Sequence, residues 1–178
     1  MANRRSQATS WTVRRLRASD ASAYQTLRME GFVRNPIQFR IAPEDESALS
    51  AEAVGERLEK TFVAGGFDRG ELVGIAGLTR FEGAKLRHRA LLWGMYVTEQ
   101  GRGSGLADDL MRLVLDEARR LGIEQVILTV VAENARARRF YERWGFSVYG
   151  VERRAIKVGA VYLDEALLVC QLDRLHQK

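Results

Sequence analysis

Among its 178 residues the chain has one cysteine, Cys170, two prolines and two histidines. A single cysteine excludes an internal disulfide and leaves too few thiolates for a zinc cluster, so no metal centre is expected. Cys170 sits in the apolar run Leu167-Leu168-Val169-Cys170, which reads as a buried structural position rather than a nucleophile. No apolar run approaches the roughly 18–20 residues of a membrane span, and no signal-type apolar region follows the N-terminus. No membrane association is expected, and a reducing cytoplasm fits. Residues 1–10 are short and polar, which reads as a disordered tail ahead of one domain over 11–174. The composition that remains, 46% hydrophobic and 29% charged, is that of a globular chain with one full core.

The net charge of +5 is dispersed and interleaved with acids such as Asp108-Asp109 and Asp116-Glu117. Its densest cluster, Arg136, Arg138, Arg139 and Arg143 with Arg102, is accounted for by a small polyanionic cofactor as well as by nucleic acid. Nucleic acid is therefore not expected as a partner.

Along the chain, Thr12–Arg17, with Trp11, reads as a first strand. Ser19-Asp20 supplies an N-cap for a helix to about Glu30, with Ala23, Leu27 and Phe32 inward. Phe32 to Glu46 carries Pro36 and Pro43 and reads as a long irregular segment of the kind that forms lids or binding loops. A helix from about Ala48 to Lys60 follows, with Val54 and Leu58 inward. Thr61–Ala64 and Glu71–Leu78 read as a hairpin turned at Asp68-Arg69-Gly70, and His88–Val97 as the fourth strand. Leu106 to Leu121 has apolar steps of three and four, and Gln125–Val131 reads as a buried strand. These last elements make a strand–helix–strand crossover, so the fourth and fifth strands should be parallel. After a helix capped by Asn134, Phe146–Val151 and Val161–Leu172 complete about seven strands, turned at 157–160. The expected fold is α/β (α+β): a mixed, mostly antiparallel sheet with flanking helices.

The stretch Trp93 to Ala107 carries the clearest chemistry. Glycines at 101, 103 and 105 permit positive φ, so backbone N–H groups can converge on one point, and the following helix adds its own free N–H groups. An anion belongs there, most plausibly a pyrophosphate. A phosphate-binding Walker loop needs Lys and then Ser or Thr after its last glycine, whereas Leu106-Ala107 follow here. A dinucleotide fingerprint starting at Gly101 needs glycine at 106, where Leu stands. What matches is Gln/Arg-x-x-Gly-x-Gly/Ala, present as Gln100-Gly101-Arg102-Gly103-Ser104-Gly105. About thirty residues on, the span of one crossover, Asn134, Ala137, Tyr141, Gly145 and Phe146 fit N-x-x-A-x-x-x-Y-x-x-x-G-F.

Together these two blocks resemble the GNAT superfamily of N-acyltransferases, over roughly Thr12 to Leu172. The resemblance implies a splay between the fourth and fifth strands that admits acetyl-coenzyme A as co-substrate. It implies that Met95, Tyr96 and Val97 offer backbone groups to the pantetheine arm and thioester. By the same resemblance, Gln100, Gly101, Arg102, Gly103, Ser104 and Gly105 bind the pyrophosphate, Asn134 contacts the cofactor, and Tyr141 is the proton donor to the departing thiolate. A phenol can supply that proton or hydrogen bond. Tyr141 also lies on an apolar helix face with Phe140 and Trp144, and Asn134 also suits a helix cap. The implied activity is acetyl transfer to a primary amine of a small molecule or amino acid by direct attack. The alternatives are a protein N-terminal or lysine acetyltransferase and a non-catalytic acyl-coenzyme A binding module.

Family members often place a glutamate base on or near the fourth strand, but Arg89 to Val97 contains no acid. The nearest candidates are His88, the closest group with a suitable pKa, and Glu30 on the first helix. Glu44 and Glu46 are candidates to attract an ammonium, Asp164 and Glu165 to face the acceptor site, and a water chain to act as base. The family's frequent dimerisation makes a homodimer an expectation.

Overall fold

The computed structural model describes residues 11–173; the tail expected at 1–10, and residue 174, lie outside them. Seven strands form one sheet: β1 (Trp11–Arg15), β2 (Phe62–Asp68), β3 (Glu71–Arg80), β4 (Arg89–Val97), β5 (Gln125–Val131), β6 (Ser147–Val158) and β7 (Val161–Gln171). Their spatial order is β1-β2-β3-β4-β5-β7-β6. Only β4 and β5 run parallel, as the crossover between them requires; the other neighbours are antiparallel. The helices are α1 (Ala21–Arg34), α2 (Pro43–Ser47), α3 (Ala51–Lys60), α4 (Leu106–Arg120) and α5 (Ala135–Arg143).

Two apolar layers hold the sheet. On one side α4 buries Leu106, Leu110, Met111, Val114, Leu115 and Ala118, whose spacing makes one continuous stripe. Each large side chain fully buried there contributes about 1.5–3 kcal/mol. Cys170 belongs to this layer, fully buried, with Sγ 3.8 Å from the Trp144 carbonyl oxygen. Burial pushes its thiol up to about 11, so it stays protonated and unreactive. On the other side α1 and α3 bring Tyr24, Leu27, Val54 and Leu58 against Val63, Ile75 and Tyr96.

The parallel pairing of β4 and β5 covers only Arg89↔Gln125, Ala90↔Val126 and Leu91↔Ile127. Beyond it, β4 stays paired with β3 up to Val97, and β5 with β7 up to Val131. A register shift against β3 coincides with Gly94 at φ +64°, and a bulge of this kind bends and twists its strand. The strands therefore part at Leu92, and the sheet opens at its centre.

Several boundaries differ from the sequence reading. Helix α1 continues past Gly31 to Arg34, because Gly31 lies under the Tyr96 ring and Phe32 is buried. Ala23 is exposed, and Tyr24 takes the inward position. Asp20 makes no side-chain cap; its carboxylate accepts from the Arg17 N–H and from Arg14 instead. The irregular stretch shrinks to 35–42, since Pro43 starts the short helix α2, and α3 begins at Ala51, capped by Ser50. Strand β2 runs through both glycines to Asp68, and β6 runs to Val158, carried by two bulges against β7.

Candidate active site

The opening between β4 and β5 leads into two adjoining cavities that share Gln38 and Phe39 in their walls. The outer one, about 310 Å³, is lined by Met95, Tyr96 and Val97 of β4, by Arg102 and Ala107 at the glycine turn, and by Asn134, Arg136 and Tyr141. The inner one, about 330 Å³, is lined by Leu92, Trp93 and Gly94 further down β4, by Arg28 of α1, and by Thr129 and Glu165.

The turn is built as its glycines suggest. Gly103 and Gly105 have φ of +75° and +101°, a region that other residues enter only at a steric cost. Gly101 N–H is spent on the Thr98 carbonyl and Arg102 N–H on the Glu99 carbonyl. Ser104 Oγ ties the turn to Gly101 O at 2.7 Å and accepts from Leu106 N–H. Among the described residues, the N–H groups of Gly103, Ser104 and Gly105 have no protein acceptor. They lie at the N-terminus of α4, where the helix dipole favours an anion. Asp108 and Asp109, in the first turn of α4, are engaged elsewhere by the indole N–H groups of Trp144 and Trp11, both at 2.9 Å. Arg102 and Arg136 add positive charge at the mouth, without a carboxylate partner among the described residues. Gln100 stands apart, on a groove across the loop with Glu30, Arg34 and Glu99.

Asn134 is the cap of α5 and stands in the wall of the outer cavity. Its Oδ1 accepts from Ala137 N–H at 3.1 Å, capping α5, while its Nδ2 donates to Gln38 Oε1 across the mouth of the cleft. Tyr141 is packed edge-on against Phe140 and Phe146 and is 8% exposed, with its ring in the wall of the outer cavity. Burial raises its phenol well above the ordinary value of 10, so the proton stays on oxygen at any physiological pH. An ordinary thiol has a pKa of about 8.5. A phenol held in that state can donate a hydrogen bond but does not readily give up its proton.

The proposed bases separate. His88 stands at the start of β4, its carbonyl taken by Glu124 and Gln125 N–H groups, and lines neither cavity. The length of β4 lies between it and the glycine turn, some 3.3 Å per residue. That position sets it apart from both cavities. Glu30 also faces away: its Oε1 accepts from the Tyr96 hydroxyl at 3.1 Å and pairs with Arg34 Nε at 3.2 Å. It reaches the cleft only through Tyr96, whose phenol is raised by burial and then by Glu30. Glu46 is buried between Arg28 and Arg57 and is closed to a substrate, whereas Glu44 is exposed on α2. Asp164 holds the second bulge of β6 through Arg153 and the Arg154 N–H. Glu165 alone enters the inner cavity: it is 2% exposed, pairs with Arg40, and accepts from Thr129 Oγ1 at 3.3 Å.

Residues 38–40 strap the cleft. Gln38 bonds Asn134, Phe39 packs edge-on against Phe32 and Tyr96 at 5.2 and 6.4 Å, and Arg40 bridges Glu165 and Glu152. The sequence reading placed a lid near here but named none of these side chains. Their partners lie up to 125 positions away, beyond any local pattern. Arg28 did leave a trace: Tyr24, Arg28 and Phe32 fall at steps of four, an arginine on an apolar helix face.

The sequence pattern of the acetyltransferase (GNAT) family matches residues 23–146, more than half of the chain. The chain belongs to that family. Over 151 residues it is 28% identical to a mycothiol acetyltransferase of Brachybacterium faecium, an alignment covering 79% of this chain and 42% of that protein. The chain thus spans less than half of this relative's length. A GNAT-family acetyltransferase of Streptococcus pneumoniae superposes with a TM-score of 0.82 at 20% identity, covering 90% of this chain and 98% of that one. The yncA protein of Salmonella typhimurium, solved with its cofactor acetyl-CoA, gives a TM-score of 0.79 at 20% identity over 92% and 94% of the two chains. These structures share the seven-stranded sheet with its parallel central pair. The family uses acetyl-coenzyme A as its co-substrate, and the free N–H groups at the turn, the arginines at the mouth and the parted strands fit that molecule. Among the described residues, no helix is long and apolar enough to cross a membrane.

Proposed function

We propose that this GNAT-family protein is an acetyl-coenzyme A-dependent N-acetyltransferase that acetylates a primary amine of a small molecule or amino acid by direct attack. One observation carries this reading. The anion-binding turn opens onto the outer cavity, the only described carboxylate in reach of an incoming amine lines the inner one, and the cavities meet at Gln38 and Phe39.

In this reading the N–H groups of Gly103, Ser104 and Gly105, with Arg102, hold the pyrophosphate. The backbone of Met95, Tyr96 and Val97, left without a β5 partner, offers hydrogen bonds to the pantetheine arm and the thioester carbonyl. Asn134 Nδ2 joins them when Gln38 releases it. Glu165 and Thr129 orient the amine in the inner cavity, and Glu165 or a water beside it takes the proton that nitrogen sheds as the new bond forms. Tyr141 donates to the departing sulfur. The inner cavity is at the small end of ligand sites, about 300–1,000 Å³, which favours a small acceptor over a protein lysine. The edge strand β6 presents Val148, Tyr149 and Val151, 40%, 56% and 47% exposed, as a surface for a homodimer that sedimentation at micromolar concentration would detect.

A panel of amino acids, small amines and peptides, assayed with acetyl-coenzyme A by thiol detection, tests the activity. Thiol release with small amines is expected. Release with peptides alone would move the acceptor class to proteins, and binding without release would make the chain a cofactor-binding module.

A further inference from the structure

Arg28 is 96% out of solvent, yet it forms part of the inner cavity wall. Its guanidinium is fixed on all sides: Cζ lies 4.7 Å from the Phe32 ring centre, 5.7 Å from that of Tyr24 and 5.8 Å from that of Trp93. Among the described residues only Nη2 has an acceptor, Glu46 Oε2 at 2.9 Å. Nε is buried without a partner, and Nη1 lies where a side chain at position 94 would begin, 3.0 Å from the Cβ that Gly94 lacks. Glu46 is also shared with Arg57, so two guanidinium groups surround one carboxylate. Arg57 keeps about a third of its side chain in solvent, whereas Arg28 is buried and shares its one carboxylate, so an anion from the cavity would complete its charge. Across the same cavity the balance reverses: Arg40 alone faces Glu165 and Glu152. Between these charged groups the wall carries Gln38 and Thr129 and is otherwise mostly apolar, with Phe32, Phe39, Ile41 and Trp93.

Resting on the proposed N-acetyltransferase reading, we infer that the acceptor is an α-amino acid with an apolar side chain, its carboxylate held by Arg28 and its amine by Glu165 and Thr129. Arg28 is then a specificity-determining residue. It touches the acceptor, not the cofactor, and the missing side chain at Gly94 is what lets its fork reach the ligand. Nη1, beside Gly94, is the nitrogen of this guanidinium from which a carboxylate in the cavity could accept a charged hydrogen bond.

The test uses the full chain with acetyl-coenzyme A and two matched probe sets: L-leucine, L-leucinamide and isopentylamine, then L-phenylalanine, its amide and phenethylamine. Rates are compared per concentration of free amine, so the different basicities cancel. The acids should exceed their amides and amines at least about tenfold in kcat/KM, the scale of one charged hydrogen bond. Arg28→Gln should erase that preference through a raised KM for the acid while the KM for acetyl-coenzyme A stays put, and Arg28→Lys should restore part of it. Because Arg28 is buried, the wild-type comparison stands on its own should the variant fail to fold. Amides or simple amines matching the acids would overturn this inference and leave the N-acetyltransferase reading standing. An unchanged preference in a folded Arg28→Gln would overturn it too. Silence across both sets and a wider amine panel would remove the acetyltransferase reading and this inference with it.

Discussion

The two ends of the cleft are assembled in opposite ways. The outer end is nearly one continuous stretch, Met95 to Ala107, completed by Asn134 and Tyr141 at the next helix. The inner end draws Arg28 from α1, Arg40 from the strap, Trp93 from β4, Thr129 from β5 and Glu165 from β7. The outer end works with backbone groups, which any sequence supplies once the glycines set the turn. The inner end works with side chains held by long-range pairing. In the proposed reading the first holds a cofactor shared by a whole family, and the second holds the acceptor.

Breaking the outer end should give the largest effect. Gly103→Glu has open space around its new Cβ, so only the positive φ costs stability, about 1–2 kcal/mol. Its carboxylate would meet the pyrophosphate, and acetyl-coenzyme A affinity measured by calorimetry should fall at least roughly 100-fold, several charged hydrogen bonds' worth. At the inner end, Glu165→Gln should lower kcat/KM for the amine about 100-fold, within the usual range for acid–base groups. Cofactor affinity should barely move. If both parameters fell together in a folded variant, the two ends would not be separable.

Tyr141→Phe should lower kcat about tenfold with little change in either KM, because only the hydrogen bond to sulfur is lost. Unchanged turnover would leave Tyr141 as packing alone. Gln38→Ala frees Asn134 Nδ2 from the strap, and cofactor affinity should rise a few-fold, the scale of one neutral hydrogen bond.

The smallest effect concerns acid. Burial alone would raise Glu46, but its hydrogen bonds and charge contacts with Arg28 and Arg57 outweigh it and hold the carboxyl below its ordinary 4.5. Its folded-state pKa is thus depressed, so this contribution to stability is complete above pH 4.5 and is lost as pH falls through the lower folded value. Thermal melts between pH 5 and pH 3 should show a steeper fall for the wild type than for Glu46→Gln, where that proton uptake is absent.

The contrast between the ends also explains what could be read from the sequence. The order of elements, the parallel pair, the glycine turn and the α5 block are local patterns of spacing and turn chemistry, and each was legible. Gln100 fits the motif, yet it lines a groove with Glu30 and Glu99 rather than the outer cavity, since a motif of residue types does not say which side of a loop each member takes. His88 and Glu30 suit a base by their chemistry and nearness in sequence alone. The length of β4 separates His88 from the glycine turn, and Tyr96 and Arg34 engage the Glu30 carboxylate. Glu165 was one of several acids considered, and only sheet order, with β7 next to β5, brought it under the opening. Arg40 and Gln38 could not be found, since nothing near them in sequence hints at partners about a hundred positions away.

The most direct test is a nitrogen-15 amide spectrum of the full chain titrated with coenzyme A. The account predicts large shifts at the N–H groups of Gly103, Ser104 and Gly105 and at the Asn134 side-chain amide, with Thr129 and Glu165 nearly still. Saturable binding that left those four signals unmoved would contradict it.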